Sequence, residues 1–143
     1  MKIYIDTSVY NRPFDDQTQP RISSETIALR LVLRLVIAEA IELVSSSILV
    51  YENSRNSLLL RQRWVERWLQ LAQSYQELNE AIAERAQELV QQGLGAMDAL
   101  HLACAETAGS DYFLTCDDRL IRRYQGNINA INPVDFVLSM IGG

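Results

Sequence analysis

Apolar residues change their spacing several times along the chain, and the changes predict short strands separated by helices. Lys2 to Ile5 is short, β-branched and aromatic and stops at Asp6, which predicts a strand with a polar exit. A turn-rich segment with Pro13, Asp15, Asp16 and Pro20 follows, after which Ser23 or Ser24 is placed to cap a helix with Ile27, Leu31, Leu35 and Ala38 on one face. Arg30 and Arg34 lie i,i+4 on another face. Glu42 to Ser45 reads as a second strand, and the serine cluster after it starts a helix that holds Tyr51 and Glu52. Leu58 to Ala72 continues helical, with Trp64 and Trp68 one turn apart. Tyr75 to Leu78 reads as a brief strand. Asn79 caps a helix through Ala83, Ala86 and Val90 that stops at Gly93, and the next helix runs from Gly95 through Met97, Leu100, Ala103 and Cys104 to about Gly109. Tyr112 to Thr115 is a strand, Asp117 or Asp118 opens a short helix with Leu120 and Ile121, and Ile128 to Ile131 is the last strand. Asn132 and Pro133 supply the cap and first residue of a closing helix. Strands alternating with helices imply a parallel sheet covered on both faces, an α/β/α sandwich formed by one domain over residues 1–143.

Composition narrows the class. Hydrophobic residues are 48 % and charged residues 22 %, which suits a folded core. No uncharged apolar run approaches the roughly 20 residues that span a bilayer, and Asp6 interrupts the apolar start before a signal peptide core of roughly 7 residues can form. Cys104 and Cys116 are too few for a disulfide framework, so the expectation is a cytoplasmic protein with reduced thiols and no membrane association.

Thirteen basic residues stand against 18 acids, and the net charge of −5 has the wrong sign for binding nucleic acid by bulk electrostatics. Lys2 is the only lysine, which excludes a P-loop and also the aspartyl-phosphate phosphatases, whose phosphate needs a downstream lysine. Gly93 and Gly95 follow a helix rather than a strand, so no dinucleotide-binding turn is present.

The acids carry the chemistry. In an open parallel sheet, ligands bind beyond the carboxyl ends of the strands. Asp6 and Asp117 leave apolar strands at that edge, and Glu52 and Asp98 lie near helix starts, each flanked by apolar residues. Burying such groups is costly without a cationic partner, and a divalent cation can satisfy several of them together. A hard cation such as magnesium suits an all-oxygen set. One such ion changes the net charge from −5 to −3 and two change it to −1, which eases the approach of a polyanion.

Ile5-Asp6-Thr7-Ser8, the segment from Ser46-Ser47 to Glu52, Met97-Asp98-Ala99-Leu100-His101-Leu102-Ala103 and Leu114-Thr115-Cys116-Asp117 occur in that order between residues 3 and 117. In these motifs the chain resembles the PIN-domain family of metal-dependent ribonucleases. The second motif departs from the family at Asn53, where an apolar residue is commoner, and Asn11 to Arg21 is longer and more acidic than in the small toxins. The resemblance implies a PIN-like fold with Asp6, Glu52, Asp98 and Asp117 as the acidic metal site. It also implies hydrolysis of single-stranded RNA with magnesium or manganese and a 5′-phosphate product, often by the toxin of a toxin and antitoxin pair.

Each residue also has a plainer reading. Asp6 suits a turn, Asp117 a helix cap, Asp98 the positive end of a helix dipole and Glu52 an exposed helix face. His101, one turn after Asp98, is placed either to orient a water or phosphate or to serve as a hydrogen-bonded helix residue; a zinc site with Cys104 and Cys116 has no matching spacing. Thr7, Ser8 and Thr115 can support the acids or satisfy local backbone. Arg55, Arg61, Arg63 and Arg67 follow Glu52, while Arg119, Arg122 and Arg123 follow Asp117; Arg55, Arg119 and Arg122 are the candidates for holding substrate phosphates, against a solvated helix face. Trp64 and Trp68 suit base stacking, core or homodimer packing, or an antitoxin helix. Two rival functions use the same fold: a non-catalytic protein-interaction module, and a metal-dependent phosphatase acting on a small ester.

Overall fold

Ile3, Tyr4 and Ile5 are fully buried, and a run apolar on both sides belongs at the centre of a sheet covered on both faces. In the computed structural model, which describes residues 1–142, that run is β1 (Lys2–Ile5). It pairs in parallel with β2 (Glu42–Ser46) on one side and β4 (Tyr112–Leu114) on the other. β3 (Ser74–Gln76) and β5 (Asn129–Ile131) complete a parallel sheet of order β3-β2-β1-β4-β5. Among the described residues eight helices flank it: α1 (Thr7–Tyr10), α2 (Pro20–Ile37), α3 (Ser47–Ser54), α4 (Leu59–Gln70), α5 (Glu80–Gln91), α6 (Ala96–Thr107), α7 (Asp118–Arg123) and α8 (Pro133–Ile141). The expected α/β/α architecture is present.

Side chains alternate along each strand, and the register assigns the layers. Tyr4 and its neighbour Phe113 stack at 5.3 Å on the face covered by α6, where His101 meets the Tyr4 ring edge-on. On the opposite face Tyr112 packs against Phe136 of α8, which packs against α2. The sheet order reverses direction between β1 and β4, so the loops leaving these two strands diverge and open a crevice at the carboxyl edge. α1, α3 and α7 begin directly after β1, β2 and β4 at that edge, and α6, which leads into β4, starts there too.

The predicted face of α2 is incorrect. Ile27 is 57 % exposed, Leu31 is 41 % exposed and Ala38 is exposed, whereas Ala28, Leu29, Val32, Leu33 and Val36 are buried. Apolar residues occupy nearly the whole circumference of this helix, so period alone does not select the side that meets the sheet. The helix also starts earlier than expected, at Pro20 with Gln19 as N-cap, because the fixed φ of proline suits a first turn. In α5 the buried residues are Ile82, Ala86 and Leu89, and Val90 is exposed. A short helix, α1, forms directly after β1 where no helix was expected, the helix expected to continue from Glu52 into Leu58 to Ala72 is broken into α3 and α4, and the remaining differences are at ends. β2 extends to Ser46, β3 is Ser74–Gln76 rather than Tyr75 to Leu78, α4 spans Leu59–Gln70, α6 ends at Thr107, β4 ends at Leu114 and β5 starts at Asn129.

The caps form where their chemistry requires. Asn79 accepts from the Ile82 amide at 2.9 Å and Asn132 from the Val134 amide at 2.8 Å. Trp64 and Trp68 pack edge to face at 6.3 Å against the core, and Trp64 meets Phe14. Among the described residues no helix is long and apolar enough to cross a membrane.

Candidate metal centre

Asp6 occupies the N-cap position of α1 but makes no side-chain cap bond. Its amide donates to the Leu114 carbonyl at 2.9 Å, joining the exits of β1 and β4. The carboxylate, in a residue only 5 % exposed, accepts from Ser8 Oγ at 2.8 Å and Thr115 Oγ1 at 3.0 Å, with Thr7 Oγ1 at 3.5 Å from its other oxygen. Hydroxyl donors stabilise the ionised form without neutralising it.

Glu52 comes from the last turn of α3, which Ser46 starts by accepting from the Leu49 amide. One Glu52 oxygen accepts from the Thr7 hydroxyl and from His101 Nε2 at 2.9 Å. Burial raises the carboxyl pKa, but the bonds from His101 and Thr7 and the field of His101 bring it below the ordinary value. An ionised carboxylate only accepts, so Nε2 carries the proton; in the neutral ring Nδ1 then accepts from Tyr4 OH, 2.7 Å away. Tyr4 OH in turn lies 2.7 Å from Ser46 Oγ, and the buried chain Ser46, Tyr4, His101, Glu52 fixes the ring.

Asp98, in the first turn of α6, is only partly buried and, among the described residues, accepts no side-chain hydrogen bond. Its pKa is pushed up to about 6, first by burial and then by the charges of Asp6 and Asp117, with Glu52 adding and His101 offsetting. The other three predicted acids therefore all act on the ionisation of Asp98. Asp117 is exposed and does cap α7, accepting through Oδ1 from Arg119 at 2.9 Å and Leu120 at 3.2 Å, while its Oδ2 makes no hydrogen bond. Ligand atoms of Asp6, Glu52 and His101 lie within 4.8 Å of one another, the one such group of three among the described residues. Asp98 and Asp117 are not part of that tight group.

Thr7, Ser8, Thr115 and His101 all touch the acids directly. Cys104 and Cys116 are buried free thiols that join no group of metal-ligand atoms with His101, and burial pushes them up to about 11 and about 12. Arg55, Arg119 and Arg122 are exposed and, among the described residues, bridge to no carboxylate; Arg55 bonds Tyr51 OH at 2.9 Å.

Two features were missed. Tyr4 signalled itself weakly, as a buried-strand aromatic whose hydroxyl needs a partner. The second is a knot around Glu25, a fully buried acid in the polar N-terminal part of α2. Its carboxylate accepts from Arg12 Nε at 2.8 Å, Arg21 Nε at 3.2 Å and Asn132 Nδ2 at 2.6 Å. Burial would raise its pKa, yet Asn132, Arg12 and Arg21 hold it below the ordinary value. Only the Arg21 to Glu25 spacing was readable as a pair.

The donor set fits a hard divalent cation, since it is dominated by carboxylate oxygens and contains an acid whose repulsion by its neighbours His101 offsets only in part. A search of curated proteins finds no match. Among solved structures the fold is similar to VapBC2 from Rickettsia felis, described as bound to a DNA fragment from their promoter, with 19 % identity, a TM-score of 0.59 and coverage of 92 % of this chain and 98 % of that one. It is also similar to PAE2754 from Pyrobaculum aerophilum, with 15 % identity, a TM-score of 0.56 and full coverage of both. The PIN domain model matches residues 3–126, most of the chain, and the chain belongs to the PIN domain family.

Proposed function

We propose that the chain, acting as one unit over residues 1–143, is a cytoplasmic magnesium- or manganese-dependent endoribonuclease that cleaves single-stranded RNA. The observation that supports this reading most is the cluster of Asp6, Glu52 and His101 ligand atoms within 4.8 Å of one another, with Asp98 partly buried and raised by the charges of Asp6, Asp117 and Glu52. Asp6, Glu52, Asp98 and Asp117 would hold the cation, which when bound supplies charge neutralisation at the phosphodiester and a more acidic water. Thr7, Ser8 and Thr115 keep the Asp6 and Glu52 carboxylates oriented, and His101 keeps Glu52 ionised and turned toward Thr7. Arg55, Arg119 and Arg122, free of carboxylate bridges, hold flanking phosphates.

The likeness to VapBC2 supports a toxin role with an antitoxin partner. Leu58, Leu59 and Leu60, the last 81 % exposed, offer an apolar surface for such a chain, and Ile27, Leu31, Leu138 and Ile141 offer one for a homodimer. Purified protein incubated with single-stranded RNA and manganese is expected to cleave it, and Asp6→Asn and Asp98→Asn are expected not to. Equal cleavage by all three overturns the reading. Carboxylate-dependent manganese binding with turnover of small phosphate esters alone would replace it with the phosphatase, and absence of manganese binding would replace it with the interaction module.

A further inference from the structure

Arg21, in the first turn of α2, commits its guanidinium to one short turn and one buried acid. Nη1 and Nη2 fork onto the Asp118 carboxylate at 2.7 and 2.8 Å, Nη2 also donates to the Cys116 carbonyl at 3.1 Å, and Nε reaches Glu25 at 3.2 Å. Asp117 is the residue between the two that Arg21 grips. Glu25 provides the fixed end of this grip, because it is fully buried and held by Arg12 and Asn132 as well; Arg12 in turn bonds Asp15 at 3.0 Å. From the other side, Ser8 Oγ accepts from the Cys116 amide at 3.2 Å and Thr115 Oγ1 from the Asp117 amide at 3.1 Å. These two hydroxyls are the ones that donate to Asp6. The turn after β4 is thus clamped between the Asp6 hydroxyls and the segment that precedes α2.

The clamp offers little stability of its own. Arg21 and Asp118 side chains are each 52 % exposed, and an ion pair so exposed contributes about 0–1 kcal/mol. A planar fork instead fixes direction, because both nitrogens must face both oxygens at once. We propose that Arg21 is a positioning residue: by gripping Cys116 and Asp118 it sets where the Asp117 carboxylate stands relative to Asp6 and Asp98, and this is what the extended, acidic Asn11 to Arg21 segment does. The inference rests on the reading of these acids as a metal centre.

Isothermal titration of the metal-free protein with manganese tests it, together with the manganese concentration that gives half-maximal RNA cleavage. Arg21→Ala is expected to weaken manganese binding about 10-fold, the low end of the range for residues that orient ligands. Arg21→Lys, which keeps the charge without the fork, recovers little. In an Asp117→Asn background Arg21→Ala is expected to cost nothing further, because a residue acting only through Asp117 has no second route. Asp118→Asn opens the same fork from its exposed end and is expected to match Arg21→Ala, which keeps the test intact where Arg21→Ala impairs folding. Unchanged manganese affinity in these variants, or losses that add to that of Asp117→Asn, overturns the positioning role. Equal manganese binding by wild type and Asp6→Asn instead overturns the metal centre itself.

Discussion

Glu25 and Asp98 are both acids withdrawn from water near the same edge of the sheet, and the chain treats them oppositely. Glu25 is fully buried yet held below the ordinary carboxyl range, since Asn132, Arg12 and Arg21 outweigh the burial penalty. Asp98 is less buried, accepts no side-chain hydrogen bond among the described residues and is raised to about 6, burial being reinforced by Asp6 and Asp117. The difference lies in whether the chain supplies the counter-charge. Where it does, the cluster is electrostatically complete and serves the fold; where it does not, repulsion among the acids persists, which is what makes them a candidate cation site.

Breaking the complete cluster has the largest expected effect on stability. Glu25→Ala leaves Arg12 and Arg21 facing each other and is expected to cost about 3 kcal/mol by urea unfolding, the low end for a broken buried pair because both arginines reach solvent. The sign with pH follows from the lowered carboxyl. The stabilisation is complete above the unfolded value of about 4.3 and disappears as pH falls through the lower folded one, so wild type loses in acid an advantage that Glu25→Ala never had.

Asp98→Asn should sharpen the contrast by acting in the opposite direction. It is expected to lower RNA cleavage more than about 100-fold, beyond the range for residues that only orient ligands. In chelator it should nonetheless raise the melting temperature at pH 7 to 8. The folded pKa of about 6 exceeds the unfolded value of about 3.9, so the destabilisation from Asp98 in the metal-free protein is absent below about pH 4 and grows as pH rises to about 6. The uncharged amide of the variant removes that slope, and added manganese should stabilise wild type alone. A metal-free variant less stable than wild type at pH 8 would show that Asp98 is a structural acid like Glu25.

Tyr4→Phe tests the uncharged support of the incomplete cluster. It leaves Ser46 and His101 Nδ1 short of a buried partner, with an expected cost of about 1–3 kcal/mol by thermal unfolding. The smallest effect is expected at Lys2 and Glu42, a pair at 3.6 Å with both side chains 39 % exposed. Lys2→Ala should change stability by less than about 1 kcal/mol in a denaturant titration.

Elements with strong local chemistry were readable in advance. The run Ile3-Tyr4-Ile5 ending at Asp6, the Asn79 cap and the Asn132-Pro133 start each express a preference that acts over a few residues, and each stands where it was expected. The buried face of α2 was not readable, because Ile27 and Leu31 are as apolar as Leu29 and Val32 and only contact with the sheet and α8 separates them. The candidate acids were picked out by motif spacing, whereas the Glu25 knot joins Arg12 to Asn132 across the chain with no motif to announce it.

By itself, then, the order of residues determined the alternation of strands and helices and the family, because propensity, capping and motif spacing are local. Tertiary structure alone decided which carboxylates receive an arginine and which do not. Coulomb interactions and burial depend on distance in space rather than along the chain, and parallel strands brought together by crossovers set those distances.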